Sequence, residues 1–231
     1  MASRTAVKDQ RREERLRREA ELRRSQQARR LRNRILLGVG GAVAVLAVIF
    51  AVSSLGGGGA SSAYSYQVGS PGAGQPAPPI DLASTTGGAF NLAAQRGKTT
   101  LLYFQEGLTC QPCWDQLKDL DTHLTQLKAL GIDQLVSITS DPLDALRSKV
   151  SDEGITTPVL SDPNLTVSQT YSANQYGMMG NSRDGHSFVV VGPNGMIRWR
   201  ADYGGSPNYT MYVPVPNLLT ALRKGLGAGS G

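Results

Sequence analysis

Thr99-Thr100-Leu101-Leu102-Tyr103-Phe104, followed closely by Leu108-Thr109-Cys110-Gln111-Pro112-Cys113-Trp114, is the stretch on which the reading of this chain turns. Its first half is apolar and β-prone, the pattern of a strand buried on both faces. Its second half holds the only two cysteines of the sequence, two residues apart. Beyond them, Trp114, Leu117, Leu120, Leu124, Leu127 and Leu130 recur in steps of three and four, which predicts one helix with a buried face, ended by Gly131. A Cys-x-x-Cys between strand and helix sets both sulfurs at the helix's first turn. Unpaired N–H groups and the macrodipole there favour a thiolate, the form that attacks disulfides or peroxides. Two structural readings compete with redox chemistry. A bridge closing so short a loop adds little stability, and a structural zinc wants four ligands in a chain that lacks a second Cys pair and has only His123 and His186 beside the first.

Away from this centre, charge is uneven. The net +6 of the 231 residues is concentrated at the start, where residues 1–34 hold 13 Lys and Arg against 5 Asp and Glu. The remainder is slightly acidic, so no nucleic-acid partner is expected at the main domain. Residues 35–52 are eighteen uncharged, mostly apolar positions, and with Ser53-Ser54-Leu55 the run reaches the ~20 residues of a bilayer span. Arginines flank it on the N-terminal side only, which predicts a cytoplasmic tail (1–34), a transmembrane helix (35–55) and an extracytoplasmic remainder. A cleaved signal is the competing reading, with Ser61-Ser62-Ala63 as its processing site. The long charged region and an apolar run above the usual ~7–15 residues favour an uncleaved, single-pass anchor in the cell membrane. Either way the domain meets conditions in which disulfides persist.

Residues 56–73 are rich in Gly, Ser and Pro and read as a linker; a domain is expected over 74–226. Within it, Ile80-Asp81-Leu82 and Ala89-Phe90-Asn91-Leu92 predict a hairpin, Gln134 to Thr139 a strand, and Ser140-Asp141-Pro142 a cap and first-turn proline for a helix to about Val150. Pro158-Val159-Leu160 predicts a short strand, and Ser161-Asp162-Pro163 the start of a helix carrying Leu165, Val167 and Tyr171. His186 to Val191 and Met196 to Arg200 form strands around the turn Gly192-Pro193-Asn194-Gly195, and a closing helix carries Leu218, Leu219 and Leu222. The sum is an α/β class, a mixed sheet flanked by helices.

Across about residues 74–224 the chain resembles thioredoxin-fold redoxins, the group that includes the alkyl hydroperoxide reductase/thiol-specific antioxidant (AhpC/TSA) family. Ala77-Pro78-Pro79-Ile80-Asp81-Leu82, Gly97 to Phe104, Cys110-Gln111-Pro112-Cys113, Ser161-Asp162-Pro163 and the hairpin from Phe188 to Arg200 carry the resemblance. It implies a thiol-disulfide oxidoreductase in which Cys110 is the nucleophile and Cys113 resolves the intermediate, with Thr109, Pro112, Trp114 and His186 as supporting or groove residues. The substrate is then a protein thiol or disulfide, and no cofactor is needed beyond the redox disulfide. Glu106 is expected as an exposed loop carboxylate, and His123 has no assigned role. Two departures qualify the implication. His186 or Ser187 stands where thioredoxin-type enzymes place a cis-proline. A peroxiredoxin-like thiol peroxidase would want Thr-x-x-Cys and an arginine; Thr109 is one residue out of register, and Arg183 or Arg198 would supply the arginine. His186-Ser187 also resembles the element with which Sco-type copper chaperones bind metal. On that reading Cys110, Cys113 and His186 hold copper, with Met178 and Met179 as soft extra ligands.

Overall fold

The computed structural model describes residues 64–227. The predicted tail, the transmembrane helix and the first part of the linker (56–63) lie outside them, and no helix among the described residues is long and apolar enough to cross a membrane. In chain order the elements are β1 (Asp81–Ser84), β2 (Ala89–Asn91), β3 (Thr100–Phe104), α1 (Gln111–Thr122), α2 (Leu124–Ala129), β4 (Gln134–Thr139), α3 (Leu143–Glu153), β5 (Val159–Ser161), α4 (Thr166–Thr170), β6 (Ser187–Val191), β7 (Ile197–Asp202) and α5 (Val215–Gly225). The strands form one sheet in the order β2-β1-β5-β4-β3-β6-β7. The central three, β5, β4 and β3, run parallel, and β6 and β7 return antiparallel.

Strand β3 explains the layering. All five of its residues are buried, and they divide by parity. Leu101 and Tyr103 enter a core with Trp114, Leu117, Leu120, Leu218 and Leu222 from α1 and α5. Leu102 and Phe104 enter the opposite core with Ile80, Ile138, Val167 and Tyr171. A strand sandwiched in this way has no solvent face, so its sequence is a continuous apolar run. Burial of each large apolar side chain contributes about 1.5–3 kcal/mol. Its C-terminal end points at the Cys-x-x-Cys turn.

The expected continuous helix after the cysteines is two helices. The His123 ring turns back onto the Asp119 carbonyl (2.6 Å), the acceptor that the next helical N–H would have used, and the His123 N–H bonds Leu120 O instead. The expected helix at Ser161-Asp162-Pro163 begins later, at Thr166. Asp162 does cap it, accepting from Thr166 N and Ser168 N (both 2.9 Å), but Leu165 at φ 55° turns the chain before the helix starts. The end of the expected linker has partners in the sheet. Residues 67–77 lie along β7, with paired Gln67 and Asp202 backbone bonds (2.9 Å each) and Gly74 N donating to Ile197 O (2.8 Å). The strand edge and the buried Arg200–Asp202 ion pair (2.8 Å) both need these partners: Gly69 N donates to Asp202 (2.7 Å) and Arg200 to Pro71 O (3.1 Å).

Candidate active site

At the C-terminal end of β3 the chain leaves the sheet through Gln105, Glu106 and Gly107, then enters α1. Gly107 adopts φ 82°, and a side chain there would collide with the Asp141 carboxylate and the Thr139 hydroxyl. Its carbonyl accepts from Cys110 N (2.9 Å) and from the Trp114 indole (3.0 Å). Trp114, the first apolar residue of the helix and a supporting or groove residue by the resemblance, is the latch of the cysteine turn. Cys110 is the N-cap of α1, with no side-chain cap bond among the described residues. Pro112 brings no N–H and Cys113 N donates to the Cys110 carbonyl (3.1 Å), so what the first turn offers the sulfur is the positive end of the helix dipole.

Cys110 and Cys113 are joined as a disulfide, Cα atoms 5.3 Å apart. Exposure separates them: Cys110 retains 6 % and Cys113 none. With Met211 they form a small apolar cluster. Thr109 and Pro112 are exposed beside them. Lys149 of α3 holds its ammonium 5.5 Å from the Trp114 ring centre and 3.2 Å from Gln111 Oε1, a cation near the turn that no local signal announced.

Behind the disulfide stands a buried polar set. The Tyr103 hydroxyl donates to the Cys113 carbonyl (3.1 Å) and lies 3.0 Å from His186 Nδ1. A phenol has one proton, so with that proton on the Cys113 bond, Nδ1 must carry the hydrogen it gives to Tyr103. Nε2 is left with a lone pair and finds no partner among the described residues. Burial lowers the His186 pKa to about 3 and raises that of Tyr103, the Glu106 charge adding to the latter. Both are neutral at physiological pH.

The flanking loop carries a second network. Glu106 is buried, contrary to the expected exposed carboxylate, because its Oε1 accepts from the backbone N–H groups of Met178 and Met179. The methionine side chains point outward, 61 % and 50 % exposed. Asp141 does not cap α3; its carboxylate accepts from Leu108 N (2.6 Å) and pairs with Arg183 (2.7 Å), which also donates to Glu106 O (3.3 Å). Of the two candidate arginines, Arg183 thus lies beside the cysteine turn. Arg198 lies exposed against Gly192 at the opposite end of β3. Asp184 is fully buried with both oxygens unpartnered among the described residues. Burial first, then the charges of Asp162 and Asp141, push its pKa well up. Among the described residues no three His, Cys, Asp or Glu side chains gather as a metal-binding group, and the two cysteine sulfurs of the copper reading are joined to each other.

A family model described as the AhpC/TSA family matches residues 73–200. A protein of Mycobacterium tuberculosis strain H37Rv that bears a provisional peroxiredoxin name is 30 % identical over 129 residues, 54 % of this chain and 80 % of its own length. Among solved structures, the peroxidoxin BcpB of Mycobacterium tuberculosis superposes with TM-score 0.54 at 16 % identity, covering 66 % of this chain and 97 % of that one. AhpC of Enterococcus faecalis gives 0.55 at 16 % identity, with 69 % and 96 % covered. At those identities the structures speak for the fold, which is thioredoxin-like.

Proposed function

The chain belongs to the AhpC/TSA family, and from that membership we propose a thiol-dependent peroxidase that cycles Cys110 and Cys113 between dithiol and disulfide. The observation that carries the proposal is the asymmetry of the pair: Cys110 at the rim and helix N-cap, Cys113 enclosed one turn in. In the reduced state the N-cap position favours the Cys110 thiolate. The thiolate attacks one peroxide oxygen; the O–O bond breaks, an alkoxide or hydroxide leaves and takes a proton from solvent, and Cys110 becomes a sulfenic acid. Cys113 then attacks that sulfur, the S–O bond breaks, and water leaves with the thiol proton. A dithiol donor reduces the disulfide by exchange and is itself oxidised. His186, Thr109, Pro112 and Trp114 support the turn, and Arg183 lies close enough to steer an anionic or polarised oxygen.

The cycle runs outside the cytoplasm in this reading, on a domain anchored through residues 35–55; the apolar run and its basic flank support that placement. Disulfide exchange with a protein substrate is the second reading, favoured by the cysteine spacing and the missing Thr-x-x-Cys. Peroxide consumption by the full-length chain with dithiothreitol as donor separates the two. Peroxidase activity is expected to vanish in Cys110→Ser, while Cys113→Ser, reduced and then freed of donor, gives one turnover and a dimedone-trapped sulfenic acid. Insulin reduction without peroxide consumption would transfer the assignment to exchange, and peroxide consumption unchanged in Cys110→Ser would end it.

A further inference from the structure

Tyr103 is the last residue but one of β3, and a phenylalanine there would suit the surrounding Trp114, Leu117 and Phe188 as well. Its ring stacks on Phe188 (centroids 4.7 Å apart, 10° between planes), and that packing needs no hydroxyl. The hydroxyl nonetheless reaches the backbone of the enclosed cysteine. Behind it His186 meets the Tyr103 ring edge-on (5.1 Å). It is fixed through its own backbone: N donates to Tyr176 O (2.8 Å), and the carbonyl accepts from Tyr203 N (2.8 Å). Two polar side chains are thus buried in an apolar core, one with a nitrogen left unpartnered among the described residues, and they form a relay, His186 to Tyr103 to the Cys113 carbonyl. Stability alone does not explain that expense.

We propose that Tyr103 and His186 are positioning residues that hold Cys113 in place for closure of the disulfide. The inference rests on the peroxidase cycle above. Closure is intramolecular: Cys113 must meet the Cys110 sulfenic acid before another thiol or a second peroxide does, and its rate follows the fraction of time the enclosed sulfur stays in reach. Cys113 lies in the first turn of α1, where its N–H is held only by the short-range bond to the Cys110 carbonyl (3.1 Å). The tyrosine bond pins that turn to the centre of the sheet, and His186 donates to the tyrosine oxygen so that its one proton goes to the carbonyl. The step balances without a further reagent, because the S–S bond forms as the S–O bond breaks and the thiol proton leaves in the water.

The test is stopped-flow oxidation of the reduced full-length chain by hydrogen peroxide, read by fluorescence of Trp114 beside the pair. Wild type should show a peroxide-dependent phase for oxidation of Cys110, then a peroxide-independent phase for closure. Tyr103→Phe should leave the first phase unchanged and slow the second about tenfold, the worth of one oriented hydrogen bond. Dimedone trapping at Cys110 should rise in proportion. His186→Gln should slow closure by a smaller factor. A folded Tyr103→Phe chain closing within about twofold of wild type, below the effect expected of a lost bond, overturns the inference while leaving the cycle standing. If Tyr103→Phe fails to fold, the hydroxyl is structural and the inference falls, unless folded His186→Gln shows the slowed closure. A wild-type chain with neither phase removes the cycle, and the inference with it.

Discussion

Acidification should destabilise the oxidised protein through His186 by an amount the structure allows to be worked out. The ring is fully buried among Tyr103, Phe188 and Tyr203, and burial holds its pKa near 3 against an ordinary value of 6.5. In the unfolded chain the imidazole gains its proton as pH falls through 6.5, whereas the folded chain refuses it until about pH 3. Between those values the unfolded state binds more protons, so stability falls with pH by about 1.4 kcal/mol per unit. From pH 6.5 to 4 that is about 3 kcal/mol, a large part of the ~5–15 kcal/mol that holds a domain together. His186→Gln removes the titration and keeps a polar side chain. Urea unfolding of the full-length chain, followed by tryptophan fluorescence at pH 7, 6, 5 and 4, gives both stabilities. Carboxylate titrations are common to the two proteins and cancel in the difference. The stability of wild type relative to the variant should drop by about 3 kcal/mol between pH 7 and 4, most of it below pH 6. A difference constant to about 0.5 kcal/mol would mean that the imidazole is charged or hydrated in the folded state, and the account of the buried pair would be wrong.

Gly107→Ala places a side chain at φ 82° against Asp141 and Thr139, so a loss of about 2 kcal/mol or more is expected in urea unfolding; an unchanged midpoint would refute the close approach. Asp184 is held neutral in the folded state, so its burial weakens the protein as pH rises above about 4, where the unfolded chain ionises. Asp184→Asn should therefore gain melting temperature relative to wild type between pH 4.5 and pH 8, and a pH-independent difference would count against a neutral acid. Arg200→Met strands the fully buried Asp202 carboxylate and should cost about 3–5 kcal/mol, part of it recovered by adding Asp202→Leu; additive losses in the double variant would sink this.

The elements that could be read from residues alone are those whose cause is local. The uninterrupted apolar run of β3 announced a strand buried on both faces, and Gly192-Pro193-Asn194-Gly195 announced the β6–β7 turn, which Gly195 closes at φ 78°. The cysteine pair announced itself by spacing. What escaped was decided by partners far along the chain. Asp141 has the sequence of a helix cap, yet Leu108 N and Arg183 claim its carboxylate, 33 and 42 residues away. Glu106 passed for a loop charge because its partners, Met178 and Met179, lie more than 70 residues on. Tyr103 read as one more apolar strand residue, since His186, which reveals its hydroxyl, is 83 positions away. His123, on the polar side of a well-patterned helix, broke it through a side-chain bond that spacing does not register.

The distribution of buried polar atoms locates the site without reference to the cysteines. Six described residues keep a buried polar atom unpartnered among the described residues: Gln105, Gln116, Asp184, His186, Ser187 and Trp199. Four of these, Gln105, Asp184, His186 and Ser187, stand where β3 ends and β6 begins, since Phe104 pairs with Ser187 in the sheet. At the opposite end of the same two strands Thr100 pairs with Val191, and the chain closes in an ordinary glycine-ended turn. A fold shaped for stability alone would spread such losses or remove them, because each orphaned group carries a desolvation cost of about 1–3 kcal/mol. Their concentration at one end of β3 supports the proposal that stability was given up there for chemistry. That end is also where the disulfide lies, and the agreement of the two criteria is the physical argument for reading Cys110 and Cys113 as a working pair rather than a clasp.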